Sequence, residues 1–266
     1  MRIFAVANQK GGQGKSSLTF HLAHAGIEAG LRVLVVDVDP QASVSGVSFP
    51  PNPAAAPAVT TWRLLSGEFE GLMPEPITEK LSIIRADKRE LSLPRWTTDA
   101  DADAAIRRFA TGLKSFSQHF DLCVIDTPGS VALNPPMTAG ALTAAHAVVC
   151  PVSIGEYEMA TLPDLFNLLK AIRSKGYNAK LQMFGLLPSK IKTSDPIERE
   201  SLASFREQMG NHVLPFTLAE RGAVKRAISA RVPVWQGAKS GAHRLAAKEW
   251  RATCEHLLSK LGEIKV

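Results

Sequence analysis

Apolar positions along the chain gather into short blocks separated by longer mixed stretches, and the period changes from one block to the next. Nearly continuous apolar runs at Ile3–Ala7, Leu31–Val36, Phe120–Ile125 and Ala147–Pro151 predict strands covered on both faces, as in a parallel sheet. Leu81–Ile84 and Leu181–Leu187 predict two more, and a short strand is expected over His212–Pro215. Between these blocks, apolar residues at helical spacing predict helices over Gly14–Gly30, Thr61–Leu65, Ala104–Phe116, Glu156–Lys175, Pro196–Gly210 and Ala223–Ala230. The last helix, His243–Leu261, carries Trp250, Cys254, Leu257, Leu258 and Leu261 on one stripe. Residues 50–58, rich in proline and alanine, read as a loop or short extended connector. Strand–helix alternation with seven or so strands predicts an α/β fold: a doubly wound, mostly parallel sheet with helices on both faces, in one domain over 1–266.

Composition narrows the class without deciding it. Of 266 residues, 45% are apolar and 21% charged, as in soluble globular chains. Residues 127–155 contain no Asp, Glu, Lys or Arg, but Asn134, Pro135, Pro136, Gly140 and Pro151 interrupt them. That stretch predicts a buried helix and then a strand, not a membrane span. The run after Arg2 is too short for a signal peptide. Cys123, Cys150 and Cys254 are odd in number and widely spaced, which fits buried thiols in a reducing cytoplasm better than a disulfide framework or metal site. Charge is uneven: residues 1–170 hold 14 Lys+Arg against 17 Asp+Glu, and residues 171–266 hold 17 against 8. The basic final third suggests a polyanionic partner.

The candidate chemistry sits where the apolar runs end. Ile3–Ala7 opens into Asn8-Gln9-Lys10-Gly11-Gly12-Gln13-Gly14-Lys15-Ser16-Ser17. Glycines let backbone N–H groups close on phosphate oxygens, a helix N-terminus adds positive potential, Lys15 reaches outer phosphates and Ser16 offers a hydroxyl to Mg²⁺. The second strand delivers Asp37-Val38-Asp39-Pro40-Gln41 at its C-terminal end, where open α/β sheets bind ligands. Phe120–Ile125 ends in Asp126-Thr127-Pro128-Gly129, a Walker B arrangement whose carboxylate serves the metal. Asp99, Asp101 and Asp103 read as acids preceding a helix N-terminus.

Lys10 to Ser17 resembles the deviant Walker A motif, K-G-G-x-G-K-[ST]-[ST], of the ParA/MinD ATPases. Asp37-Val38-Asp39-Pro40-Gln41-Ala42 is similar to the D-x-D-P-Q element of ParA-type members, and Val124–Gly129 and Pro151-Val152 with Glu156-Tyr157 continue the likeness over nearly the whole chain. Gln13 stands where valine is commoner and Ser16-Ser17 where threonines are; both keep the chemistry. Pro188 replaces a residue that is often polar near the adenine, and Pro215-Phe216 matches the other adenine-side turn in its proline alone.

The resemblance implies a weak, partner-stimulated ATPase that uses ATP and Mg²⁺ and forms a sandwich homodimer in the ATP state. In that reading Gly11, Gly12, Gln13, Gly14 and Ser17 wrap the phosphates, while Pro215 and Phe216 flank the base. Lys15 binds the β- and γ-phosphates, Ser16 ligates Mg²⁺ with Asp126 behind it, and Asp39 orients the attacking water. Lys10 reaches the partner's nucleotide, Pro128-Gly129 senses the γ-phosphate, and Glu156 touches the dimer interface. Non-specific binding of double-stranded DNA is implied as well, with Lys190, Lys192, Lys225, Arg226 and Arg231 as candidates, together with a nucleoid-associated location and a ParB-like or other cargo adaptor. The function implied is partition of plasmid or chromosome cargo. No helix-turn-helix region precedes the loop, so operator binding is not expected. A MinD-like membrane ATPase, or one that spaces protein clusters, would share the loop, but Gly262–Val266 makes a poor amphipathic anchor. A nitrogenase-reductase-like electron carrier would need cysteines placed to share a cluster, which Cys123 and Cys150 are not.

Overall fold

Eight strands form one sheet in the computed structural model, which describes residues 1–51, 56–87, 90, 98–155 and 159–265. They are β1 (Arg2–Val6), β2 (Val33–Asp37), β3 (Glu75–Thr78), β4 (Leu81–Ile84), β5 (Leu122–Asp126), β6 (Ala147–Val152), β7 (Gln182–Ile191) and β8 (Leu218–Ala219). Their spatial order is β3-β4-β2-β5-β1-β6-β7-β8, and every neighbouring pair is parallel except β3–β4. The helices are α1 (Lys15–Glu28), α2 (Thr61–Ser66), α3 (Asp99–Ser115), α4 (Met137–Ala144), α5 (Leu162–Ser174), α6 (Pro196–Met209), α7 (Gly222–Ser229) and α8 (Gly241–Gly262).

The strands are apolar throughout because both faces of the sheet are covered. Ile3, Ala5, Leu34, Val36, Cys123, Ile125, Val148 and Cys150 pack with Ile106, Phe109, Leu142, Leu165 and Leu168 from α3, α4 and α5. The alternate positions Phe4, Val6, Val33, Val35, Val124 and Val149 pack with Leu18, Phe20 and Leu22 of α1 and with Trp250, Cys254 and Leu257 of α8. The side-chain period of two thus separates two cores, one on each face. All three cysteines are free and buried. Among the described residues no helix is long and apolar enough to cross a membrane, and the charge-free stretch folds as α4 followed by β6.

Several boundaries differ from the sequence expectations. Helix α3 begins at Asp99, five residues early, because Thr98 and Asp101 form a capping box: the Thr98 hydroxyl accepts from Asp101 N at 3.1 Å, and the Asp101 carboxylate accepts from Thr98 N at 3.2 Å. The acids therefore lie in the first turn, where Asp103 pairs with Arg107 one turn on. Strand β7 runs on through Pro188 to Ile191; the proline, which lacks an N–H, sits where pairing passes from β6 to β8. His212–Pro215 is not a strand: a tight turn at Gly210–His212 precedes a single bridge from Val213 to Leu186, and the strand forms at Leu218–Ala219. The Arg206 guanidinium holds that segment by donating to Leu214 O, Phe216 O and Thr217 Oγ1. Edge strand β3 escaped the sequence pattern because Pro76 lies inside it, which an edge tolerates. The helix expected from Glu156 begins at Leu162 among the described residues; Glu156 itself lies outside them.

Candidate functional site

The C-terminal ends of β1, β2 and β5 meet at one edge of the sheet, and the phosphate-type loop spans that edge from β1 into α1. Gly14, immediately before α1, has φ 87°, a left-handed conformation that a side chain would strain. No side chain caps α1 and no acid sits in its first turn, so its leading N–H groups stay available to an anion. Lys15 is buried, and its Nζ donates to the Lys10 carbonyl at 2.9 Å. Burial lowers its pKa, against the opposing pull of Asp126 and Asp39.

Asp126, at the end of β5, has no exposed surface and accepts from Ser16 Oγ at 2.7 Å and Thr19 Oγ1 at 3.3 Å. Directly across the β2–β5 ladder lies Asp37, equally buried. Burial pushes the Asp126 carboxyl well above the usual range, and Asp37 adds to the rise. Burial likewise pushes Asp37 up to about 6 against three donors: Ser45 N at 2.8 Å, Ser45 Oγ at 2.7 Å and Asp39 N at 3.0 Å. Two carboxylates side by side in a dry place resist carrying two charges, and a divalent cation would relieve that cost. Hydroxyl and carboxylate oxygens are the hard donors that suit Mg²⁺. The residues present therefore fit the ion.

Asp39 stands two residues beyond Asp37, half-buried, with its Oδ1 accepting from Gln41 N at 2.9 Å. Sequence reasoning missed what holds this segment in place. The Arg85 guanidinium donates to the Ser45 and Phe49 carbonyls, to Pro50 O at 3.2 Å and to the buried Glu75 carboxylate at 2.7 Å. The one available signal was an arginine directly after an apolar strand. Two further props hold the phosphate loop. A Cβ on Gly129 would lie 2.7 Å from Gly11 N and 3.1 Å from the Lys10 carbonyl carbon, so the loop after β5 touches it backbone to backbone. The buried Gln13 carbonyl accepts from Ser153 N and, at 2.7 Å, from Ser153 Oγ.

A cavity of about 420 Å³ opens over this assembly, lined among others by Gly12, Lys15, Ser16, Asp39, Val47 and Lys190. A smaller one of about 110 Å³ adjoins Gly14 and Ser17, walled by Ser189, Leu218, Glu220, Val224 and Trp250. Pro215 and Phe216, expected on the base side, line neither; the Phe216 ring packs on His256 with centroids 4.8 Å apart. Residues Leu218 to Arg221 line the smaller cavity, while Arg206 holds the turn that carries Pro215 and Phe216. Of the five cations expected on a DNA-facing surface, Lys190 belongs to both cavities. Lys192 and Lys225 make long exposed pairs with Glu198 at 3.9 Å and Glu220 at 3.7 Å, contacts of little stabilising value. Arg226 and Arg231 are exposed. Lys10 is half-buried.

One turn beyond Ser17, His21 ties α1 to the segment before α8: its Nδ1 donates to Ser17 O at 2.7 Å and its Nε2 accepts from Val234 N at 3.1 Å. Accepting from Val234 N needs a neutral ring, whose centroid lies 4.3 Å from that of the Trp250 ring. Burial lowers its pKa from 6.5 to about 4. The unfolded chain thus binds this proton first on acidification, so the contribution is present above pH 6.5 and is lost as pH falls towards 4, by about 3 kcal/mol in full. Urea unfolding at a series of pH values should show this slope, flattened in His21→Asn; an equal slope in the variant would refute the assignment.

A family model described as an AAA domain matches residues 1–183. Protein IncC of Escherichia coli is 31% identical over 264 residues, spanning 98% of this chain and 70% of IncC. The chromosome-partitioning ATPase Soj of Thermus thermophilus is 30% identical over 259 residues, spanning 94% and 95%. Among solved structures, cobyrinic acid a,c-diamide synthase from Mycobacterium smegmatis, with a bound ATP analogue and magnesium, superposes with TM-score 0.76 at 22% identity over 99% of this chain and 96% of that one. The last likeness shows the fold; the family model and the two relatives carry more. On them and on its loop, this chain belongs to the ParA/MinD family of deviant Walker A P-loop ATPases.

Proposed function

We propose that the chain hydrolyses ATP with Mg²⁺, dimerises in the ATP state and binds DNA without sequence preference, so as to partition plasmid or chromosome cargo together with an adaptor protein. The observation that carries this reading is the meeting of Lys15, Ser16 and Asp39 around one cavity at the C-terminal edge of the sheet, with Asp126 buried behind Ser16 and bonded to it. The likeness of the chain over nearly its whole length to Soj, a chromosome-partitioning ATPase, supports the partition role, and the ligands of the synthase support ATP and magnesium.

In this proposal the Lys15 ammonium and the N–H groups from Gly11 to Ser17 hold the phosphates. Ser16 Oγ and, behind it, Asp126 would hold Mg²⁺, whose positive charge offsets that of the phosphate oxygens. Asp39 accepts a hydrogen bond from the attacking water and orients it. Lys10 serves the partner's nucleotide, so each loop is half of a composite site. Lys192, Lys225, Arg226 and Arg231 lie in the basic third and meet DNA phosphates; their contacts supply affinity that weakens with salt.

Sedimentation and DNA retention test this together. ATP with Mg²⁺, and not ADP, should give a dimer that binds arbitrary duplex DNA and loses it between about 50 and 200 mM salt. Charge reversal at Lys225 and Arg226 should remove DNA binding and leave ATP-dependent dimerisation intact. DNA binding independent of nucleotide would sink the proposal, and ATP-dependent retention on lipid vesicles in place of DNA would favour the MinD-like alternative.

A further inference from the structure

At the sheet edge opposite the phosphate loop lies a cavity of about 530 Å³ with a strongly one-sided charge. Lys114, His146, Lys180 and Lys265 line it, and among the described residues no carboxylate does. Three unrelated segments deliver the lysines: the last turn of α3, the turn before β7 and the residues after α8. A cation at the end of a helix complements the helix dipole, which accounts for Lys114 but not for Lys180 or Lys265. None of the three ammonium groups has a carboxylate partner among the described residues.

The surrounding structure deepens the positive field. The α4 C-terminus would ordinarily present carbonyl oxygens here, a negative pole. Here the two N–H protons of the Asn178 amide are shared among Leu142 O, Thr143 O and Ala145 O at 3.1, 3.2 and 2.7 Å, which draws those carbonyls inward. His146 Nδ1 accepts from Ile3 N at 2.9 Å, which leaves the ring proton on Nε2 as a donor. Burial lowers the pKa of this imidazole, and the N-terminal ammonium, Lys114 and Arg2 add to the drop. Three ammonium groups with no carboxylate partner among the described residues repel one another and favour capture of an anion.

We propose that this cavity binds a small, multiply charged phosphate-bearing anion, held by Lys114, Lys180 and Lys265. Its volume is that of a metabolite site, and it lies across the sheet from the nucleotide loop.

The test uses the full chain saturated with ADP and Mg²⁺, so that the phosphate loop is occupied, titrated with fructose 1,6-bisphosphate as the probe. The His146 imidazole signal is followed by NMR. A saturable shift with Kd below about 1 mM, a rise in the His146 pKa on binding, and at least tenfold weaker binding in the exposed-surface variant Lys180→Gln/Lys265→Gln are expected. No saturation by roughly 10 mM probe, or equal binding by the folded variant, overturns the assignment. So does a His146 shift that follows a short DNA duplex and ignores the bisphosphate.

Discussion

Lys15→Ala is expected to weaken ATP binding at least about 100-fold, or about 2.7 kcal/mol, with the fold retained. The ammonium is buried beside the loop backbone and has the Lys10 carbonyl as its hydrogen-bond acceptor, so its charge is poised for an incoming anion. Its removal also takes a compensating charge away from Asp126 and Asp39. The lost desolvation cost of the lysine opposes that penalty, so only a small net change in stability is expected. Calorimetry with an ATP analogue reads the first effect. Thermal unfolding reads the second, with a midpoint within about 4 °C of the parent, as a change near 1 kcal/mol gives in a chain of this size. Retained ATP affinity would remove Lys15 from its assigned place, and an unfolded variant would show a structural role instead.

Asp39→Ala should leave ATP affinity within about threefold and lower hydrolysis by about 10² to 10⁴, the range for a group that handles the proton or orients the water. The variant should accumulate as the ATP dimer. Asp39 lines the cavity from a segment separate from the phosphate loop, and its carboxylate serves Gln41 N. Binding and hydrolysis can therefore be lost separately. Single-turnover assays with sedimentation of the same sample decide the matter, and hydrolysis at the parental rate would rule out the water-orienting role.

The sequence was most legible where the physics is local. Runs such as Val33–Val36 and Val148-Val149 announced doubly covered strands because every position is buried. Ser16 and Asp126 could be paired on paper because a strand end and a loop fix where each must stand, and the structure puts them 2.7 Å apart. Legibility failed where distant segments decide. Nothing near Pro215 in sequence says that Arg206 will grip the turn, or that Leu218 rather than Pro215 will line the cavity beside Gly14. Gln13 looked like a neutral replacement, yet it joins the loop to Ser153, 140 residues away. The early start of α3 was readable, since Thr98 and Asp101 stand at capping-box spacing, but the run of acids drew attention away from it.

The Arg85 anchorage has a consequence for how the molecule keeps time. Asp39 rides on a segment fastened to the β3–β4 hairpin through Arg85 and Glu75, whereas Lys15 and Ser16 ride on α1. In the proposed function, the grip on the nucleotide and the trigger for its cleavage would thus stand on different parts of the frame. Changes along the outer edge of the sheet would then lengthen or shorten the ATP-bound interval while the affinity stayed as it was. A lineage of such proteins could retune its clock there without rebuilding the hand that holds the fuel.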